Sequence, residues 1–221
     1  MVSYTEENYL KAIFKLSEKN LEEISTNAIA ESLAVKAGSV TDMLKKLAEK
    51  GLIHYTRYSG VELTEQGRQT AVKIVRKHRL WEVFLVEKLG FKWDQVHPMA
   101  EELEHINFDE LIERLDVFLG YPKFDPHGDP IPNGQGEFQP SKSIRLSEAG
   151  TEQRLQMIGL ENHTTAFLQY LDKKELALGA RIAIVEIAPF DKSLTITING
   201  DRQVHLSHEV AKNILVAVKD S

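Results

Sequence analysis

The segment STNAIAESLAVKAGSVTDMLKKLAEKGLI, residues 25–53, carries the clearest structural pattern in the amino-terminal part of this chain. Its first half opens on capping hydroxyls and repeats apolar residues with helical spacing, at Ile29, Ala30 and Leu33. After VKAG, the second half does the same at Val40, Leu44 and Leu47, and Gly51 suits the end of a helix. Two short helices joined by a tight turn with a glycine predict a helix-turn-helix.

The sequence on both sides extends this motif. LIHYTRYSGVELT, residues 52–64, reads as two β-rich runs around Ser59-Gly60 and predicts a hairpin, which makes the motif a winged helix-turn-helix. Ahead of it, Ser3 and Glu6 fit a capping box. The apolar residues that follow recur with helical spacing, so the chain should open with an amphipathic helix.

Beyond the hairpin the pattern predicts one long helix over Glu65–Leu89, stopped by Gly90. Its second half is apolar nearly all round, which predicts a subunit interface. Two further helices are expected near Asp94–Ile106 and Phe108–Leu119. A proline-rich linker follows, and after Lys142 short β-rich runs predict a small barrel. The predicted fold class is mainly α with a small β domain.

Composition limits the function. With 221 residues, 42% hydrophobic and 27% charged, the chain can form more than one small domain. The absence of cysteine excludes disulfides, zinc-thiolate sites and thiol catalysis. There is no apolar run of about 18 residues, and the amino end carries acids where a signal peptide carries bases, so we expect a cytoplasmic protein without a membrane partner.

The net charge of −6 conceals a separation along the chain. From Lys36 to Trp81 there are ten bases and four acids, or +6, whereas from Asp94 to Asp116 there are eight acids and one base, or −7. The first block suits phosphates and the second suits cations.

The acidic block contains an unusual polar pattern. On a helix, His97, Glu101 and Glu104 share a face and His105 lies beside it, while His78 and Glu82 lie four apart on the preceding helix. Like charges at this spacing repel. Imidazole and carboxylate groups from two packed helices would suit Mn(II), Fe(II), Zn(II) or Co(II).

Three functions remain open from the residues alone. The basic winged helix with the acidic cluster favours a metal-responsive DNA-binding protein. A metal-dependent hydrolase could use the same cluster with an open coordination position, although no residue stands out as a base or nucleophile beside it. The acidic helices could also form a purely structural dimer interface.

The chain also resembles the diphtheria-toxin-repressor and manganese-transport-regulator family of metal-dependent transcriptional repressors. The resemblance runs through ENYLKAIF, SVTDMLKKLAEKGLI, LTEQGRQTAVKIVRKHRLWEVFL, QVHPMAEELEHINFDELIERL and HGDPIP, in this order. It implies a homodimer with a winged-helix DNA-binding domain (1–64), a helical metal-binding and dimerisation domain (65–120), a linker (121–141) and a carboxy-terminal SH3-like, FeoA-like barrel (142–221).

The resemblance also implies ligands. The family's primary metal site falls on Asn8, Glu101, Glu104 and His105. Ancillary ligands match His78, Glu82 and His97, and a further set from the linker and the SH3-like domain matches Asp125, His127 and His163. Glutamate at position 101, where the iron-responsive branch has cysteine, favours Mn(II), with Fe(II) as the second choice and Zn(II) or Co(II) as in-vitro substitutes. Asn8 departs from the aspartate of the manganese branch and is a weaker, neutral ligand.

For DNA, we expect two copies of the helix Ser39–Lys50 in successive major grooves of a palindromic double-stranded operator. The expected base or near-base contacts are Ser39, Thr41 and Asp42. The expected phosphate contacts are Lys36, Lys45, Lys46 and Arg57. The regulated genes would be those of metal homeostasis.

Overall fold

A computed structural model describes residues 2–18, 24–56, 60–140 and 142–219. The chain forms two compact units. The first unit comprises residues 1–78, 101–112 and 132–137, and the second unit comprises residues 79–100, 113–131 and 138–221. The predicted domain boundaries at 64, 120 and 141 stay predictions.

The first unit opens with helix α1, Tyr4–Glu18. The capping box is formed, because Glu6 N donates to Ser3 Oγ and Ser3 N donates to Glu6 Oε2 over 2.8 Å. α1 buries Leu10 and Ile13 completely. Three polar side chains of the same helix are buried with them, namely Glu6, Glu7 and Lys11.

The helix-turn-helix and its wing follow. Helix α2 spans Thr26–Ser32, where Ser25 Oγ accepts a hydrogen bond from Ala28 N, and helix α3 spans Ala37–Glu49. Strands β1, Ile53–Tyr55, and β2, Val61–Leu63, pair antiparallel with Ile53 opposite Leu63. The winged arrangement is therefore confirmed.

Three further helices continue the chain: α4 spans Glu65–Glu87, α5 spans Val96–Leu103 and α6 spans Asp109–Phe118. α5 is shorter than the predicted helix of residues 94–106, so Glu104 and His105 lie in the turn after it. In the apolar part of α4, Leu80, Val83 and Leu85 are buried within the chain itself. Leu89 is exposed, as are Val117 and Phe118 of α6.

In the described part of the linker, residues 121–140, the backbone forms no helix and no named strand. It is nevertheless ordered by its own contacts, because Phe124 and Pro130 form an isolated β-bridge and Asp125 Oδ1 accepts hydrogen bonds from His127 N and Asp129 N. Asp125 and His127 are buried.

The carboxy-terminal part of the second unit is an antiparallel sheet in the order β3-β8-β4-β5-β6-β7. The strands are β3 Ile144–Arg145, β4 Leu155–Leu160, β5 Arg181–Ile187, β6 Leu194–Ile198, β7 Arg202–Leu206 and β8 Ile214–Val218. A 3-10 turn at Leu146–Glu148 and helices α7, Thr165–Lys174, and α8, His208–Lys212, complete it. Alternate strand residues face one apolar core. Among the described residues the edge strands β3 and β7 do not pair, so the sheet stays open and the closed barrel that the sequence suggested is not formed.

Candidate metal centres and nucleic-acid interface

The first unit gathers a cluster of polar side chains around Glu104, which is fully buried in the turn after α5. One carboxylate oxygen, Oε2, lies 2.6 Å from His78 Nδ1 on α4. The other, Oε1, accepts a hydrogen bond from Lys11 Nζ of α1. We call this set the first cluster; its members are Glu7, Asn8, Lys11, His78, Glu101, Glu104 and His105.

His105 is oriented by α1. Its Nδ1 lies 2.6 Å from Glu7 Oε2, and its ring stacks on Tyr4 with 4.7 Å between the ring centres. With Nδ1–H donating to Glu7, a neutral imidazole carries its lone pair on Nε2, which lies 3.8 Å from Glu104 Oε1. A carboxylate behind a histidine is the usual support of a metal-binding imidazole. Glu7 belongs to no sequence motif, so its contact with His105 could not be predicted from the sequence.

Asn8 provides the test of whether a cation fits here. Its Oδ1 is buried, and no described residue donates a hydrogen bond to it. A buried oxygen without a partner is unfavourable unless a donor or a cation meets it. Asn8 lies in the same turn of α1 as Glu7 and Lys11, both of which contact the cluster. The carboxylate, imidazole and amide donors of the first cluster therefore fit a dication.

The second unit holds a second cluster, formed by Glu82, His97, Asp125 and His127. One ligand atom each of Glu82, Asp125 and His127 lies within 4.8 Å of the others, and all three residues are buried. His127 Nε2 lies 2.9 Å from the carbonyl oxygen of Trp93 and donates to it. In the neutral imidazole that a metal would bind, Nδ1 carries the lone pair, and it lies 3.7 Å from Glu82 Oε2. This donor set also fits a dication.

The second cluster contains buried carboxylates that lie close together, so a nearby positive charge would stabilise their ionised forms. Burial raises the pKa of Asp125 to about 7, and the negative charges of Asp129 and Glu82 add to the effect. For His127, burial lowers the pKa, but the hydrogen bond and charge of Glu82 and the charge of Asp125 outweigh it and raise the pKa to about 9. Arg79 supplies part of the compensation, since its Nη2 lies 3.3 Å from Asp129 Oδ2.

Two predicted ligands border this cluster. His97 Nδ1 lies 3.4 Å from Glu82 Oε1. His163 stacks on His127 with 5.0 Å between the ring centres, and its Nε2 lies 3.1 Å from Leu160 O. Burial lowers the pKa of His163, which favours the neutral imidazole that binds metals. His78 contacts Glu104 of the first cluster, and His97 contacts Glu82 of the second. The ancillary metal site itself stays a prediction.

The predicted DNA-reading residues lie on α3, whose Val40, Leu44 and Leu47 face the core. On the opposite side Lys36, Ser39, Asp42, Lys45 and Lys46 are exposed and Thr41 is half-buried. Thr41 and Lys45 line an open groove of about 700 Å³ that also reaches the start of α2 and the hairpin. Lys45 Nζ lies 3.4 Å from Asp42 Oδ1. Arg57 lies outside the described residues.

The carboxy-terminal end of α3 is fastened to α1. Glu6 Oε1 lies 2.8 Å from Lys50 Nζ and 3.1 Å from Lys46 Nζ. Lys46 therefore already has an anionic partner within the chain. Burial raises the pKa of Glu6. Hydrogen bonds from Lys50, from the Ser3 backbone and from Lys46 act in the opposite direction and outweigh it, so that the pKa falls to about 2.

Comparison with known proteins agrees with these features along the whole chain. Residues 1–61 match the model of the iron dependent repressor N-terminal DNA binding domain, residues 64–133 match its metal binding and dimerisation domain, and residues 144–218 match the FeoA domain. The iron-dependent repressor IdeR of Mycobacterium tuberculosis is 31% identical over 224 residues, which cover 96% of each chain. The chain belongs to the iron-dependent repressor family.

Solved structures of the family agree. A manganese-dependent transcriptional repressor in complex with manganese is 33% identical, with a TM-score of 0.88 over 97% of this chain and 100% of that one. ScaR with bound Zn²⁺ is also 33% identical, with a TM-score of 0.77 over 96% of this chain and 98% of that one. The resemblance to the diphtheria-toxin-repressor family and the predicted fold class are therefore confirmed.

As a member of the iron-dependent repressor family, the chain is a metal-dependent, DNA-binding transcriptional repressor. The family consists of transcription regulators rather than enzymes, and its members dimerise through the domain that binds metal. None of the helices in the described residues is long and apolar enough to cross a membrane.

Proposed function

We propose that this repressor responds chiefly to Mn(II), with Fe(II) as the alternative, and controls genes of metal homeostasis from the cytoplasm. The proposed ligands in the first cluster are Asn8, Glu101, Glu104 and His105. His78 joins the first cluster as a further ligand beside Glu104. In the second cluster the proposed ligands are Glu82, Asp125 and His127, with His97 and His163 beside them. These donors are carboxylate, amide and imidazole groups without sulfur, which favours a hard ion.

One observation carries the link between metal and DNA. Two consecutive residues of α1 connect the two sites. Glu6 holds Lys50 at the C-cap of α3, and Glu7 holds His105 of the first cluster. When bound, a dication supplies positive charge that offsets the mutual repulsion of the carboxylates. The position of α1 then couples the first cluster to α3. A shift of α1 moves the buried Glu6, and with it the ion pair that holds Lys50. The ion can change DNA affinity only by its preference for the DNA-competent arrangement.

The DNA complex we propose is a homodimer on a palindromic operator. The exposed apolar side chains at the end of α4 and on α6 (Leu89, Val117 and Phe118) form a surface suited to a second copy. Two copies of α3 would enter successive major grooves about one turn apart. Ser39, Thr41 and Asp42 would lie at or near base edges, and the exposed Lys36 and Lys45 would contact phosphates, joined by Lys46 and Arg57.

We also propose that neither cluster is catalytic. Glu104, Asp125 and His127 are each no more than 5% exposed, and His105 is 8% exposed. A hydrolase needs an open coordination position that a substrate can reach. Burial of this degree suits an ion that sets a conformation, which is why the regulator is preferred to the hydrolase.

The decisive experiment is a fluorescence anisotropy titration on a duplex selected from a random pool with Mn(II)-loaded protein. We expect Mn(II) to tighten binding at least tenfold over chelator-treated protein, and Glu104→Ala to abolish that gain. Glu102→Gln is the matched control, because Glu102 is an exposed neighbour of the cluster and should respond like wild type. A DNA affinity that changes neither with the chelator nor with Glu104→Ala would refute the proposal.

The ion preference is tested separately. Mn(II) and Fe(II) are compared anaerobically at matched site occupancy, with DNA affinity as the readout. Stronger activation by Mn(II) supports the proposed preference. Equal activation removes it and leaves the metal-dependent repressor intact.

A further inference from the structure

Lys11 is the most unexpected member of the first cluster. The residue is 5% exposed, and its Nζ lies 2.7 Å from Glu101 Oε1 and 2.5 Å from Glu104 Oε1. A buried lysine is uncommon unless it is paired, and here it is paired twice. The chain itself thus provides a cation between two carboxylates that also belong to the proposed metal ligands.

The ammonium group and a dication would use the same oxygens. An oxygen within about 2.6 Å of Nζ that also bound a metal at about 2.0–2.6 Å would bring the two cations within roughly 5 Å of each other. Repulsion at that distance is strong in a buried site, where water screens little. The second oxygen of Glu104 is not free to bind the metal in place of the first, because Oε2 already lies 2.6 Å from His78 Nδ1. Binding of Lys11 and binding of a dication at Glu104 would therefore oppose each other.

We propose that Lys11 is a built-in competitor of the metal: its ammonium group neutralises Glu101 and Glu104 when metal is scarce and leaves them when metal binds. This inference rests on the proposed function and deepens it, because Lys11 would set the metal concentration at which the repressor responds. Lys11 can move in this way since its side chain is a flexible four-carbon stem. Asn8, one residue beyond Glu7 on α1, would keep its oxygen for the incoming ion.

The first test uses the wild-type chain and reads Lys11 directly. Lysines are reductively methylated in chelator-treated and in Mn(II)-saturated protein, and the modified peptides are quantified by mass spectrometry. We expect at least threefold more methylation of Lys11 with Mn(II), because its displaced amine reaches solvent. Exposed Lys73 on α4 serves as the internal control and should not change. Lys11 methylation that is unchanged or lower with Mn(II) overturns the proposal.

The second test measures Mn(II) affinity in competition with a fluorescent chelator. Lys11→Met keeps the length and removes the charge, so we expect at least tenfold tighter binding at the first cluster. Lys11→Arg keeps a cation and Lys73→Met alters an exposed site, so both should stay within about twofold of wild type. Weaker or unchanged binding in a folded Lys11→Met protein would mean that Lys11 supports the ligands instead of competing. If Lys11→Met does not fold, the methylation experiment alone decides.

Failure of this inference can be told apart from failure of the proposed function. The binding step that disappears in Glu104→Ala identifies the first cluster. If Glu104→Ala loses no step, the proposed metal site itself is wrong. If that step is lost but Lys11→Met does not strengthen it, the site stands and only the competition by Lys11 is refuted.

Discussion

Replacing Gly128 by alanine should damage the second unit at a defined place. Gly128 follows His127 and has a φ of +91°, in the region that favours glycine. A Cβ added there would lie 2.1 Å from the carbonyl oxygen of Ile158 and 2.4 Å from Gly159 Cα, so the β4 backbone would have to move. The left-handed backbone costs about 1–2 kcal/mol. Relieving the overlap costs about 1–3 kcal/mol more, which gives a loss of roughly 2–5 kcal/mol.

Urea unfolding followed by tryptophan fluorescence measures this loss, since Trp81 and Trp93 both belong to the second unit. Gly134→Ala is the matched control in the same linker, because a Cβ there would meet nothing within 4 Å. The displaced linker should also weaken Mn(II) binding at the second cluster. Equal stability of the two variants, to within about 0.5 kcal/mol, would refute the assigned close approach of the linker to β4.

Three further outcomes are expected. Burial raises the pKa of Glu6, but hydrogen bonds led by that from Lys50 outweigh this effect and lower the pKa to about 2. The ionised Glu6 carboxylate therefore stabilises the folded state above pH 4.5, and this contribution is lost as the pH falls towards 2. Glu6→Gln should therefore cost about 1–2 kcal/mol in neutral urea titrations, after allowance for the partly exposed lysines, and progressively less in acid; a pH-independent cost would contradict this. Val117→Glu should convert the dimer to monomer in size-exclusion chromatography with light scattering, and an unchanged mass would place the interface elsewhere. Lys45→Gln should lower the slope of log affinity against log salt by about one without altering sequence preference, and a changed preference would assign Lys45 to base reading.

The winged helix could be predicted because its signals are local. The Ser3–Glu6 capping box, the Ser25 cap and the hairpin between Ile53 and Leu63 each depend on residues close together in the chain. Nothing after Leu103 marks a stop as plainly as a glycine does, so the predicted helix ran to Ile106, three residues past the end of α5. The closed barrel was not foreseeable in detail, since alternation predicts strands but does not determine whether the edges pair.

The composition of the clusters was only partly visible in the sequence. Helical spacing placed His78 and Glu82 together, yet these residues contribute to different clusters in different units. The contacts of Lys11 with Glu101 and of Glu7 with His105 join residues 90 and 98 positions apart. No local pattern encodes such pairs, because they arise only when α5 and the turn after it contact α1.

The alternation of roles along α1 has a consequence for how such regulators can diverge. Glu6, Glu7 and Lys11 contact, in turn, the end of α3, His105 and the carboxylate of Glu101, which we propose read DNA and bind the metal. If these roles are correct, one helix determines both which ion is sensed and how the operator is held. A chimera that takes its ligands from one relative and its winged helix from another would inherit a mismatched α1, so sensing and reading should change together in natural lineages rather than as exchangeable modules.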